Sequence, residues 1–287
     1  MRSSIPISSS ATQDLRSLVT AYFQSTATQW KTIYDHEDVN SRLYQLRKEE
    51  VISLVRSLGL PPGSRVLDVG CGPGLIAIAL AQQGFAVDAV DIVPEMIEMT
   101  RSLAVESKVD ERVACHVSDA TPLHFDDEQF DVVLAVGLTN WLATIEPAIR
   151  EITRVLKPGG HVIVTDTNPW SLQFLLDPVR NPLVAPLKEA VRRLLTVFRI
   201  CPPKYCYSRS NKEVVSAMEC AGLHRDKLRN FGFGPFTLFG WELFSARTGW
   251  AIHSYLQKRA DRNWPVFRST CLVYIALATK PLKSGHA

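Results

Sequence analysis

Residues 66–74 read Val66-Leu67-Asp68-Val69-Gly70-Cys71-Gly72-Pro73-Gly74, an apolar strand that takes in one acid and then turns on three alternating glycines. Leu75 to Ala81 follow as an unbroken apolar run of good helix formers. Strand, glycine turn and helix in that order make the ligand-binding corner of a doubly wound α/β sheet. Glycine is needed where the chain turns sharply and a ligand meets the backbone, because a Cβ would clash. The helix behind the turn offers unpaired N–H groups and partial positive charge. The glycines alone leave the ligand open, since Gly72-Pro73-Gly74-Leu75-Ile76-Ala77 also satisfies the dinucleotide pattern G-x-G-x-x-A.

Four further features narrow it. Asp68, two residues before the first glycine, repels a pyrophosphate and welcomes a cationic amino group. Asp91 closes a second apolar strand, where an acid accepts both ribose hydroxyls; a nicotinamide enzyme shares this feature. The segment Arg112 to Ala120 is a third strand ending in Ser118-Asp119-Ala120. Val155 to Val164 is a helix end, a proline–glycine turn and a fifth strand. In this ordered set, over residues 60–167, the chain resembles the class I S-adenosylmethionine (SAM)-dependent methyltransferases.

The resemblance implies an α/β fold: a doubly wound, seven-stranded, mostly parallel sheet with a SAM pocket. Asp68 and the backbone of Gly70, Cys71 and Gly72 would hold the methionine end, and Gly74 would let the first helix pack close. Asp91 would take the ribose diol, with Ile92 and Met96 as walls for adenine. Asp119 would accept from the adenine amino group while the Ala120 N–H meets a ring nitrogen. Val136 or Gly137, ending the strand that starts at Phe130, would face the sulfonium. Taken singly, Asp91 and Asp119 read equally well as turn or cap acids; order and spacing carry their roles.

At 287 residues, 46% of them hydrophobic, the chain is expected to be one large domain with ample core. We divide it into a helical lid (1–60), a SAM-binding core (61–167), a helical cap insertion (168–211) and the rest of the core with a second insertion (212–287). No apolar run approaches the roughly 20 residues that cross a bilayer. The six cysteines are scattered, without a Cys-x-x-Cys pair, and read as reduced thiols of a cytoplasmic protein, with no metal expected. In the lid, two helices are expected, Asp14 to about Trp30 and Ser41 to Ser57. Tyr22, Trp30, Tyr34 and His36 are lid residues that could lie over the cofactor. Arg47 could reach the SAM carboxylate, although a solvated helix face explains it as simply.

Charge is uneven. Of 32 lysines and arginines, 18 lie from residue 168 onward against 7 acids, together with 16 of the 25 aromatics. Leu183, Leu187, Val191, Leu194, Leu195 and Phe198 fall on one helical face, with Arg180, Lys188, Arg192, Arg193 and Arg199 opposite. Trp241, Phe244, Ile252 and Tyr255 suggest a second stripe. The plain reading is a cap packed on the sheet, its basic face solvated. A second reading adds peripheral contact with an anionic membrane. Nucleic acid is not expected, because no binding module accompanies the charge.

Methyl transfer needs the acceptor held in line with the methyl group and, for a hydroxyl, a base. His36, His124 and His253 are weak nominees for a base. Asn140 and Asp166, in the loops after the fourth and fifth strands, are the polar groups nearest where acceptors lie. The expected activity is methylation of a small apolar or aromatic acceptor with an anionic portion, most readily on oxygen. Transfer to carbon or nitrogen of a quinone, lipid-linked or sugar precursor is the alternative. More distant are a nicotinamide oxidoreductase and a catalytically silent SAM-fold protein.

Overall fold

The computed structural model describes residues 9–33, 36–197 and 206–283. Along the chain come α1 (Ser9–Thr32), α2 (Val39–Ser57), β1 (Arg65–Val69), α3 (Leu75–Gln82), β2 (Ala86–Asp91), α4 (Pro94–Glu106), β3 (Val113–Val117) and β4 (Phe130–Val136). There follow α5 (Glu146–Val155), β5 (Leu156–Thr167), α6 (Leu172–Leu176), α7 (Ala185–Val197), α8 (Asn211–Cys220) and β6 (His224–Phe231). The chain closes with β7 (Thr237–Leu238), β8 (Trp241–Glu242), α9 (Ala246–Asp261), α10 (Pro265–Ser269) and β9 (Val273–Thr279).

Seven strands form one sheet in the order β3-β2-β1-β4-β5-β9-β6. β1 to β5 pair in parallel, while β9 runs antiparallel to both β5 and β6. The expected fold is therefore present. Strand order reverses between β1 and β4, and it is outside the carboxyl ends at such a switch point that open α/β sheets bind ligands. Asp68 lies beside Ala89 on one side and Leu134 on the other, which places the glycine turn there.

Strand alternation explains the two faces. In β4, Val132 and Leu134 face α2 and α3 through Val51, Val55, Ile76 and Leu80. Val133 and Ala135 point the other way, against Ile149 and Ile152 of α5 and Val214 and Met218 of α8. Such a strand, buried on both faces, needs a continuous apolar run, and each fully buried Val, Leu or Ile contributes about 1.5–3 kcal/mol. α8 starts on a capping box, with Ser210 and Glu213 satisfying each other's backbone N–H. Between Leu156 and His161, β5 bulges over Lys157 to Gly160 while β4 advances only from Phe130 to Val132.

The insertions depart from expectation. Leu183, Leu187 and Val191 are exposed at 69%, 70% and 49%, so this face of the first insertion is not packed on the sheet. Phe198 and Arg199, and the side chains of Arg193, Leu194 and Leu195, lie outside what the structure describes. In α9 the inward face is Gly249, His253 and Ala260, with Ile252 and Leu256 alongside Phe233, Phe236 and Cys271. Trp241 belongs to the β7–β8 hairpin and is 80% exposed. The expected stripe therefore joins a strand, β8, to a helix, α9, and only Ile252 and Tyr255 of it are helical.

Candidate functional site

β1 delivers Asp68 into the corner with 1% of its surface exposed. Its Oδ2 has no hydrogen-bond partner. Burial, reinforced by the charge of Asp91, raises its carboxyl to about 7. Asp91, at the end of β2, accepts from the Gly72 N–H through Oδ2 and from the Val93 N–H through Oδ1, each at 2.9 Å. The Gly72 amide, expected at the methionine end, is thus engaged by Asp91. The Gly70 and Cys71 amides both reach the Val90 carbonyl, at 2.7 and 3.0 Å, and seat the turn on β2. Beneath it, the Thr100 hydroxyl donates to the Gly72 carbonyl at 3.0 Å. At Gly74, with φ of 80°, any Cβ would lie 2.5 Å from Thr100 Cγ2, so no side chain fits.

These residues open into a cavity of about 580 Å³. Asp68, Gly70, Cys71, Gly72, Asp91, Ile92, Met96, Asp119, Ala120, Val136 and Asn140 all line it; Gly74 lies buried behind it. Asp119 is already engaged, its Oδ2 to Arg16 Nε at 2.7 Å and its Oδ1 to the Thr121 N–H at 3.2 Å. Arg16 belongs to α1, which adds Val19, Phe23 and Trp30 to the lining. Tyr22 stacks on Trp141 with centroids 5.4 Å apart, and Phe23 meets the same ring edge-on at 4.7 Å. α1 is thus a roof over the cavity. Tyr34 lies outside the described residues, and His36 sits exposed before α2, away from the cavity lining.

The far end is built by the turn Thr139–Trp141. Asn140 lines the cavity and its buried Oδ1 has no partner. Arg209 holds this turn by donating to the carbonyls of Thr139, Leu142 and Ala143. The Tyr207 N–H adds a bond to the Asn140 carbonyl at 2.7 Å. Asp166 lies behind the turn, 1% exposed, accepting from the Thr139 hydroxyl and the Thr167 N–H. It does not line the cavity. Burial raises it to about 7, against the opposing pull of those bonds and of Arg209 and Arg47. The expectation that Asp166 would face an acceptor gives way to an anchoring role.

Arg47 does turn inward. Its guanidinium lies over the Tyr44 ring at 4.7 Å, and Nη1 comes to 3.1 Å from where a Cβ on Gly137 would sit. Glycine at 137 makes that approach possible. His124 is exposed and bonded to Ser118 Oγ at 3.1 Å. His253 is buried against Phe233, and burial lowers its pKa. Among the described residues no histidine lines the cavity. Trp30, expected in the lid, does line the cavity, whereas sequence reading missed Arg16, Val19 and Phe23 of the same helix, although Val19, Phe23, Ala27 and Trp30 recur at helical spacing. Nothing in the sequence signalled Arg209.

The donor set suits SAM: an unpaired buried carboxylate for its ammonium, a diol acceptor in Asp91, and apolar walls in Ile92 and Met96. A methyltransferase domain family matches residues 67–164. A ubiquinone biosynthesis O-methyltransferase of Xylella fastidiosa (strain M23) is 31% identical over 231 residues, 78% of this chain and 77% of the relative. One of the same name from Xanthomonas campestris pv. campestris (strain B100) is 30% identical over 166 residues, 58% of this chain and 67% of the relative. The solved magnesium protoporphyrin IX methyltransferase of Synechocystis PCC 6803 with bound SAH superposes with a TM-score of 0.63 at 17% identity, covering 93% of this chain and 99% of that one. The chain belongs to the class I SAM-dependent methyltransferases. It is an enzyme of the small-molecule type within that class.

Proposed function

We propose that the protein transfers the methyl group to an oxygen atom of a small, apolar or aromatic acceptor whose hydroxyl is acidic. Asn140 carries the reading: a buried carbonyl oxygen without a partner, held at the far end of the cofactor cavity. Leaving it unmet costs about 1–3 kcal/mol, so it calls for a donor on the acceptor, a role a hydroxyl fills. SAM supplies a methyl group on a sulfonium, which reacts with an oxygen held in line with it. Asp68 binds the ammonium, Asp91 the ribose, and the α1 roof excludes water. Among the described residues no histidine lines the cavity, in keeping with an oxygen that is nucleophilic through its own acidity, as that of a phenol or carboxylic acid is. The name of the 31% identical relative supports oxygen.

Radiolabelled SAM offered with a phenol, an aniline and a 1,3-diketone reads the target atom. Label on the phenol alone supports the proposal; label on the aniline or the diketone carbon would favour the alternative. Titration with SAM and NADH distinguishes the oxidoreductase reading.

Peripheral membrane contact belongs to the same proposal. No described helix is long and apolar enough to cross a membrane. The support is the exposed set Leu183, Leu187, Val191, Phe239 and Trp241, with Lys188 and Arg192 beside it, in keeping with an interfacial face on anionic lipid.

A further inference from the structure

A second cavity, of about 380 Å³, adjoins the first, with Tyr44, Arg47 and Thr167 lining both. Its remaining walls come mainly from the two insertions, through Gln173, Phe174 and Arg180 of the first and Gly234, Thr237 and Glu242 of the second. None of these is needed to grip a cofactor at the glycine corner. We propose that this cavity receives an anionic group of the acceptor, a carboxylate or phosphate, and fixes it between Arg47 and Arg180. This rests on the methyltransferase reading and says which acceptors the enzyme takes.

Three observations converge. First, Arg47 lies over the Tyr44 ring and Arg180 over the Phe174 ring, at 4.7 and 5.6 Å. Stacking holds a guanidinium by its face and leaves its N–H edge for an anion, the bidentate geometry that arginine offers carboxylates and phosphates. Neither side chain makes an ion pair or hydrogen bond among the described residues. Asp166, whose charge acts on Arg47, is committed to Thr139 and Thr167. Among the described residues Glu242 is the one acid in the lining, and it is exposed on the hairpin.

Second, Gln173 is 1% exposed and its Oε1 has no partner, while its Nε2 reaches the Gly234 carbonyl at 3.4 Å. A ligand donor beside the anion would satisfy that oxygen. Third, the surrounding wall is finished without a ligand. Asp177, fully buried, accepts from Thr237 Oγ1 at 2.5 Å, the Val179 N–H at 2.9 Å and the Gly240 N–H at 3.2 Å, which clamps the hairpin to the end of α6. The buried group left unmet is Gln173 Oε1, and beside it stand Arg47, half-buried, and Arg180, exposed, whose charge also acts on Asp177 and which is open to an incoming anion.

The test uses the full chain saturated with S-adenosylhomocysteine and three probes: 3-hydroxybenzoate, 3-hydroxyphenyl phosphate and the neutral 3-hydroxybenzamide. Ligand-observed NMR titration should give at least one anion about tenfold or more tighter binding than the amide, as expected of hydrogen bonds to a charged group. Arg180→Gln should remove that preference while leaving S-adenosylhomocysteine affinity and thermal melting unchanged. Glu242→Gln should strengthen anion binding by a factor of about two to five, the size of an exposed charge effect. The two anions tell a carboxylate-reading site from a phosphate-reading one. Equal binding of all three probes, or a preference that survives Arg180→Gln, would overturn the proposal. Because binding is read without turnover, a failure to methylate any probe would count against the oxygen-transfer reading and leave this result standing.

Discussion

Arg16 of the N-terminal helix meets Asp119, after β3, with Nε 2.7 Å from Oδ2. The same guanidinium donates to the Thr121 carbonyl at 3.0 Å. The roof is thereby fastened to the wall that adenine would face. Arg16→Ala should loosen α1 and speed SAM release several-fold, measured by stopped-flow fluorescence of Trp30 and Trp141. The pair is partly solvated, so equilibrium affinity should change less than the rate does. An unaltered release rate would mean that aromatic packing on Trp141 alone holds the roof.

Asp68 is buried with an Oδ2 that has no hydrogen-bond partner. Asp68→Asn keeps its size and removes the charge, and should weaken SAM at least tenfold by calorimetry, the scale of a lost charged hydrogen bond at about 1.5–3 kcal/mol. Asp91→Ala should do the same through the ribose. Wild-type affinity in both folded variants would move the cofactor elsewhere.

The pH dependence follows from the same burial. Asp68 and Asp166 are raised from 3.8 to about 7 in the fold. Between those values the folded state binds more protons than the unfolded chain, so their contribution is stabilising at low pH and is lost as pH rises from about 4 through about 7. A cation at Asp68 requires the ionised form, so SAM affinity should rise as pH passes about 7 and fall again once the amino group of SAM loses its proton. Calorimetry across that rise checks it, with Asp68→Asn as the control that should flatten it.

Arg209 joins three carbonyls of the Thr139–Ala143 turn to a segment far along the chain. Arg209→Met should cost about 1.5–3 kcal/mol, because three acceptors lose a charged donor beside Asp166. Melting should fall by roughly 5–10 °C, and methyl transfer should fall with it as Asn140 loses its support. Unchanged melting and turnover would show that Tyr207 and Thr139 suffice.

The exposed leucines of the first insertion give the membrane reading its sharpest check. Leu183→Asp with Leu187→Asp should abolish flotation with phosphatidylglycerol vesicles and leave SAM affinity intact. These side chains are 69% and 70% exposed, so folding should not suffer. Equal flotation of wild type and variant would mean the face serves something else.

The cofactor corner was legible because its determinants are local. Glycines, the acids Asp68 and Asp91 near the strand ends, and continuous apolar runs act over a few residues, and the order of such units implied the sheet. Arg47 and Asp166 could not be placed this way. Each sits where its neighbours allow either a solvated or a buried side chain, and only the packing of α2 on the sheet and of Arg209 behind β5 selected one. The two insertions were legible as basic and aromatic, yet their inward faces were not. Helical spacing names a stripe without saying what covers it, and between β8 and α9 the helical period does not hold. Sequence alone thus fixed the corner that holds the cofactor, through short-range sterics and charge. The roof, the anchored turn and the second cavity came from contacts between residues a hundred or so positions apart, which only the folded chain brings together.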